Sequence, residues 1–185
     1  MNKATDIKYR LAAALKECMA STSFDDITVK QIAATCAVSR QTFYRNFADK
    51  YELVNWYFDR LLTASFQVMR EGKTVKEGLV RKFAFIRQEA IFFAAAFRVD
   101  EQNCLKEHDF QMILDFYTSI LTREQVLSNN DLLLLEMYCY ASVYMTVKWL
   151  LAGMKMSDSD LADLMIAALP ETLVKLFQIG NLLGV

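Results

Sequence analysis

Apolar residues recur at helical spacing along most of this chain. Over residues 5–20, Ile7, Leu11, Leu15, Cys18 and Met19 share one face, and Ser21-Thr22-Ser23 ends the pattern. Thr28-Val29-Lys30-Gln31 has the form of a capping box. It predicts a short helix through about Thr35 with Val29, Ile32 and Ala33 inward. Cys36-Ala37-Val38 makes a three-residue gap. Ser39 is then an N-cap for a second short helix, 40–46. Asp49-Lys50-Tyr51-Glu52 is another capping box and opens a long helix, 50–70, which Glu71-Gly72-Lys73 ends. Thr74-Val75-Lys76-Glu77 caps the next. Further helices are expected at roughly 75–87, 89–98, 103–121, 131–152, 159–169 and 171–180. Asn130 caps the 131–152 helix, Gly153 stands at its C′ position, and Pro170 sits in the first turn of the last helix. The pattern as a whole predicts an all-α chain of about nine helices.

Composition narrows the class. Of 185 residues 54% are hydrophobic, with one Pro and five Gly, which excludes a disordered, collagen-like or turn-rich β chain. The four Cys, at 18, 36, 104 and 139, contain no C-x-x-C pair, so neither a zinc ribbon nor a thioredoxin-like site fits. They read as reduced apolar packers of a cytoplasmic protein. The N-terminus lacks the apolar run of a signal peptide. The most hydrophobic window, 132–151, has the length of a membrane span but carries Glu136 and Lys148. The expectation is a fully buried helix and no membrane association.

Net charge is −1, yet the charge is unevenly spread. Residues 1–60 hold nine Lys/Arg against seven Asp/Glu, whereas 28–50 hold Lys30, Arg40, Arg45 and Lys50 against Asp49 alone. The basic surplus thus falls on two short helices separated by a tight turn, the arrangement of a helix-turn-helix. At about 100° per residue, Phe43 and Phe47 fall together and key the second helix into a core of Ile7, Leu11, Ile32 and Leu53. Gln41, Tyr44 and Arg45 fall opposite, with Arg40 on the flank. Amide, phenol and guanidinium groups can read base edges or hold phosphate. Lys50, at the start of the next helix, is placed to favour a phosphate, and Thr28 is similarly placed at the earlier helix N-terminus.

The runs Ile27-Thr28-Val29-Lys30-Gln31-Ile32-Ala33, Val38-Ser39-Arg40-Gln41-Thr42-Phe43-Tyr44-Arg45-Asn46-Phe47 and Asp49-Lys50-Tyr51-Glu52-Leu53 resemble the N-terminal domain of the TetR family of transcriptional regulators, over residues 5–60. One departure is Ala37, where many members have Gly in the turn. A left-handed backbone there would cost Ala about 1 kcal/mol. The resemblance implies an all-α homodimer on a near-palindromic operator. A helix-turn-helix domain would occupy 1–48, and a helical dimerisation and effector domain 49–185, with helix 50–70 linking them. It also implies Thr28, Arg40, Gln41, Thr42, Tyr44, Arg45 and Lys50 as DNA contacts, with Ser39 mainly an N-cap within reach of phosphate. Asp100-Glu101-Gln102-Asn103 and Lys148-Trp149-Leu150-Leu151-Ala152-Gly153-Met154 resemble a TetR subgroup that includes regulators of dihydroxyacetone kinase operons. Some of that subgroup resemble activators working with a protein co-regulator. The sign of regulation, and the choice between small-molecule effector and co-regulator, therefore stay open.

Catalysis finds no support. His108 is the one His, and it lies in Glu107-His108-Asp109. No H-E-x-x-H, G-x-S-x-G or Gly-rich phosphate loop occurs, and neither a metal nor a cofactor is expected. Asp25-Asp26 and Asp158/Asp160 sit beside helix starts, where carboxylates serve as caps. The aromatic-rich C-terminal part suggests an effector pocket, for which Phe93, Phe97, Tyr117, Tyr138, Tyr144 and Trp149 are the candidates. Residues 131–152 and 159–180 offer more apolar surface than one subunit hides, which points to an isologous helical interface.

Overall fold

The computed structural model describes residues 3–98, 105–123 and 125–183. Among these the chain is all-α: α1 (Lys3–Met19), a 3₁₀ turn (Phe24–Asp26), α2 (Val29–Thr35), α3 (Arg40–Tyr44), α4 (Lys50–Arg70), α5 (Val75–Gln88), α6 (Ala90–Arg98), α7 (Leu105–Leu121), α8 (Asn129–Leu151), α9 (Asp158–Ala167) and α10 (Glu171–Ile179). The helices start where side-chain caps are available. Thr28 accepts from the Gln31 N–H at 3.2 Å while Gln31 Oε1 accepts from the Thr28 N–H at 2.8 Å. Asp49 and Thr74 accept the N–H of Glu52 and Glu77, and those two carboxylates reach back to the N–H groups of Ala48 and Lys73. For α8 the cap is Ser128, in a full box with Asp131, and not Asn130, which is already helical. The hydrogen bonds from Ser128 hold the Asp131 carboxyl below its ordinary range. Pro170 is the N-cap of α10 rather than a first-turn residue.

Three helices end on the same motif with three different residues at C′. After α2, Ala37 N–H donates to Ala34 O and Val38 N–H to Ala33 O. After α8 the donors are Gly153 and Met154, and after α10 they are Asn181 and Leu182. The C′ residues have φ of +54° (Ala37), +82° (Gly153) and +52° (Asn181). Gly is at ease there and Asn tolerates it, but Ala carries its Cβ into the following carbonyl. Ala37→Gly is therefore expected to raise stability by about 0.5–1 kcal/mol, read as a higher urea midpoint at unchanged m-value.

The chain divides into two compact units, Met1–Leu62 with Glu89–Leu105, and Thr63–Gln88 with Lys106–Val185. In the first, α1 lies along α2 and α6. Leu11, Leu15, Ile32, Phe43, Phe47 and Leu53 are buried together at its centre, as the spacing predicts, while Ile7 is half-buried. Phe92, Phe93 and Phe97 of α6 pack edge-on against Tyr57 and Phe58 of α4. Lys16 of α1 pairs with Glu89 at the head of α6. In the second unit α5 packs along α9 and α10 along α8. Lys82 and Asp109 form an ion pair at 3.3 Å inside it, each side chain 4% exposed.

The expectation for α8 needs correction. Its sequence is apolar nearly all round, but only one side is buried. Leu133, Met137, Tyr140 and Tyr144 form an exposed stripe at 3–4-residue spacing, with Met137 at 69% and Tyr144 at 66% exposure. Among the described residues no helix is long and apolar enough to cross a membrane.

Candidate nucleic-acid interface

α2, the turn and α3 are built as a rigid bihelical unit. The left-handed Ala37 turns the chain within a few residues, and Arg10 Nη2 of α1 donates to Cys36 O at 3.1 Å, fixing the turn to the unit behind it. Burial pushes the Cys36 thiol above its ordinary pKa, against the opposing pull of Arg10. Ser39 caps α3 by accepting from Thr42 N–H at 3.1 Å, and Asn46 Nδ2 donates to Thr42 O at 2.8 Å at the far end. The helix is shorter than expected, closing at Tyr44 with Arg45 as C-cap.

The two faces of α3 separate as the spacing requires. Phe43 and Phe47 are fully buried, 6.0 Å apart between ring centroids, and Phe47 continues onto Trp56 of α4 at 5.7 Å. Opposite them Arg40, Gln41, Tyr44 and Arg45 are exposed, with Tyr44 at 57%. The Tyr44 ring stands edge-on against Phe43, which leaves its phenol at the outer end of a braced ring. Thr42 is half-buried, and its hydroxyl lies 3.0 Å from that of Ser39. Thr28 is exposed beside the capping box, its hydroxyl proton directed to Gln31 Oε1 at 2.8 Å.

Lys50 is the residue whose placement differs from expectation. Its Nζ donates to the carbonyls of Phe24, Asp25 and Ile27 at 2.8, 2.8 and 3.0 Å and lies 4.7 Å from the Phe24 ring centroid. An ammonium has three protons, and all three are engaged. Lys50 thus acts as a clasp holding the 3₁₀ turn, and with it the start of α2, against α4. Nothing in its local sequence signals this, because the carbonyls lie 23–26 positions away. Lys50→Met is expected to lower stability by about 1–3 kcal/mol, seen as a reduced Tm. The slope of log Kd for DNA against log salt should stay unchanged, as for a residue that touches no phosphate.

The six aromatic candidates for an effector site are not brought together. Phe93 and Phe97 belong to the first unit, against Phe58. Tyr117 is fully buried in the second, beside Phe177, its hydroxyl without a hydrogen-bond partner among the described residues, and burial raises its pKa well above the ordinary phenol range. Tyr138 donates to Met165 O at 3.1 Å, and burial likewise raises its pKa. Its neighbour Cys139 is pushed up to about 12 by burial, an inert thiol. Trp149 spends its indole N–H on Met156 O at 2.9 Å beneath the Arg87 guanidinium. Arg87 in turn binds Asp158 and two carbonyls, so this pair locks the α8–α9 turn. Tyr144 lies on the outer stripe. Of the six, Tyr138 alone lines the apolar groove of about 230 Å³ between α8 and α9, together with Met137, Ala141, Met145 and Leu164.

Of the carboxylates near helix starts, neither Asp158 nor Asp160 is itself the cap: Ser157 caps α9, Asp160 accepts from the Ser157 hydroxyl, and Asp158 holds Arg87. His108 is exposed. Among the described residues no three His, Cys, Asp or Glu converge as a metal site. Asp100–Asn103 lies outside the described residues, whereas Lys148–Met154 forms the end of α8 and its turn.

Comparison with known proteins bears on the whole chain. The family profile described as "Bacterial regulatory proteins, tetR family" matches residues 11–56, and that described as "Transcriptional regulator C-terminal region" (TetR_C_8) matches residues 73–170. A curated relative, the HTH-type dhaKLM operon transcriptional activator DhaS of Lactococcus lactis subsp. lactis (strain IL1403), is 26% identical over 101 residues. The match spans 55% of this chain and 54% of that protein, about half of its length. The solved structure of a dihydroxyacetone kinase operon activator DhaS aligns with 92% of this chain and 96% of its own, with TM-score 0.66 and 19% identity. A tetR-family transcriptional regulator from Streptomyces coelicolor aligns with 96% of this chain and 82% of its own, with TM-score 0.67 and 17% identity. At these identities the two structures speak for the fold.

Proposed function

Since this chain belongs to the tetR family of bacterial transcriptional regulators, we propose that it acts in the cytoplasm as a homodimer on a near-palindromic operator. In this reading residues 1–48 contact DNA, and residues 49–185 carry dimerisation and the response to a small-molecule effector, with α4 linking the two. The observation that carries the reading is the exposed set Arg40, Gln41, Tyr44 and Arg45 on a helix anchored from behind by Phe43 and Phe47. Arg40 and Arg45 supply salt-dependent phosphate attraction, while Gln41, Thr42 and Tyr44 supply base reading. Thr28 and Ser39 approach the backbone from two helix N-termini. Lys50 contributes by holding together this DNA-contacting head, the 3₁₀ turn, α2 and α3 packed on α1 and α4.

The second copy is supported by the stripe Leu133, Met137, Tyr140 and Tyr144 beside the α8–α9 groove. A self-complementary apolar seam of this spacing suits an isologous helical bundle. Titrating the full-length protein into its own upstream DNA, followed by anisotropy, tests the reading, with two chains expected per operator. Met137→Glu places a carboxylate in the seam. It is expected to yield a monomer by light scattering, with operator binding lost while helicity is retained. A Met137→Glu protein that stays dimeric would move the interface elsewhere.

One observation favours a second reading, in which a protein co-regulator replaces the small molecule: the six aromatic candidates do not converge on one pocket. The curated relative is named as an activator, which supports activation as the sign of regulation. Thermal shift separates the two readings. A metabolite at 100 times its Kd stabilises by about 2.7 kcal/mol, whereas the co-regulator reading expects no shift with metabolites and a shift with the partner.

A further inference from the structure

A second cleft, of about 350 Å³, opens inside the second unit where the last turn of α4 meets the first turn of α5 and the end of α7. Two glycines make this corner. A Cβ on Gly72 would lie 2.4 Å from Gly78 N, and one on Gly78 would lie 2.7 Å from Met69 O. The α4 and α5 backbones thus touch there and leave the space beside them open. Phe116, Ile120 and Leu182 give the cleft an apolar floor, and Arg70, Lys73 and Arg123 stand around it.

None of the three cations has an ion pair among the described residues, and no carboxylate is among the residues lining the cleft. Two described acids of this corner have other partners. Glu71 faces Arg81 at 3.6 Å, and Glu77 accepts the Lys73 N–H at 2.9 Å. At the α5 N-terminus Val75 N–H is taken by Leu182 O at 2.7 Å and Glu77 N–H by Thr74 Oγ1 at 3.2 Å. Side chains are therefore the main holders of any anion here. The Arg70 guanidinium lies 5.5 Å from the Phe116 ring centroid, which keeps it beside the apolar floor. Three like charges gathered over apolar surface repel one another, and a counter-charge relieves that. Two of them are planar forks that match a carboxylate or phosphate.

We propose that this cleft binds a small organic anion, a carboxylate or phosphate head on a short apolar stem. Arg70, Lys73 and Arg123 hold the head, and Phe116, Ile120 and Leu182 cover the stem. As an effector site it rests on the reading given above, whereas binding itself is measured on the protein alone.

Isothermal titration of the full-length protein with hexanoate and hexyl phosphate, beside hexanol and inorganic phosphate, tests it. The two amphipathic anions are expected to bind one per chain, with hexanol and inorganic phosphate each at least about tenfold weaker. Lys73→Gln and Arg123→Gln change exposed side chains and should leave Tm unchanged while weakening anion binding about tenfold each. The proposal is overturned if none of the four probes binds. It is equally overturned if hexanol matches hexanoate, or if both variants bind the anions as wild type does. The cations would then serve only the negative ends of α4 and α7. Repeating the operator titration with hexanoate reads the consequence separately. Anion binding with unchanged operator affinity keeps the cleft and removes its role as effector site.

Discussion

Asp109→Ala is expected to destabilise the protein by about 3–5 kcal/mol. Lys82 and Asp109 meet at 3.3 Å with side chains 4% exposed, and the Lys82 ammonium also lies 4.1 Å from the Phe66 ring centroid. Asp109 is its one acidic partner among the described residues. Alanine leaves a buried positive charge with only a ring face to replace the carboxylate, and the cost of desolvating that charge is then no longer offset. In urea the midpoint should fall by at least about 1 M, given m-values of about 1–3 kcal/mol/M. The double substitution Lys82→Met with Asp109→Leu removes both charges and should recover most of the loss. If Asp109→Ala alone shifts stability by less than about 1 kcal/mol, the ammonium has found water or another partner, and the pair is not the structural element described.

Tyr44→Ala and Arg45→Ala carry the next largest effects, this time on DNA. Each is expected to weaken operator binding by about 1–3 kcal/mol, roughly ten- to a hundredfold in Kd. Both residues are exposed, so folding should change little. The two variants should differ in salt dependence. Arg45→Ala lowers the slope of log Kd against log salt by about 1, as loss of one phosphate contact does, and Tyr44→Ala leaves it unchanged. Wild-type affinity in both would remove α3 as the reading element. A loss confined to Arg45, equal on operator and random DNA, would make the face an electrostatic platform without base reading.

The head was largely legible because its signals are local. The capping boxes at Thr28 and Asp49 need residues three positions apart, and the division of Phe43 and Phe47 from Tyr44 and Arg45 needs one helical period. Ala37 drew attention only as a departure from the Gly that many TetR members carry in the turn, and its φ is +54°. The carbonyl contacts of Lys50 were not legible because they lie far along the chain. Lys82 was not singled out, since a lysine in a helix ordinarily faces water and its carboxylate lies 27 positions away. In α8 the apolar residues run nearly all round, so periodicity gave no clue to which face stays uncovered. The aromatic candidates failed to converge for a related reason: aromatic abundance predicts burial, not adjacency. Phe93 shares a unit with Phe58, and Trp149 closes a turn.

The first unit is not one continuous stretch of chain, since α6 returns to it after α5 has left. This matters to anyone wishing to transplant the head onto a foreign sensor. A chimaera spliced after Leu62 would carry Tyr57 and Phe58 without the three phenyl rings that pack on them, and Lys16 without its carboxylate. A donor sequence must either bring its own version of α6 with matching rings or leave a greasy flank on the graft, inviting precipitation before any promoter is reached.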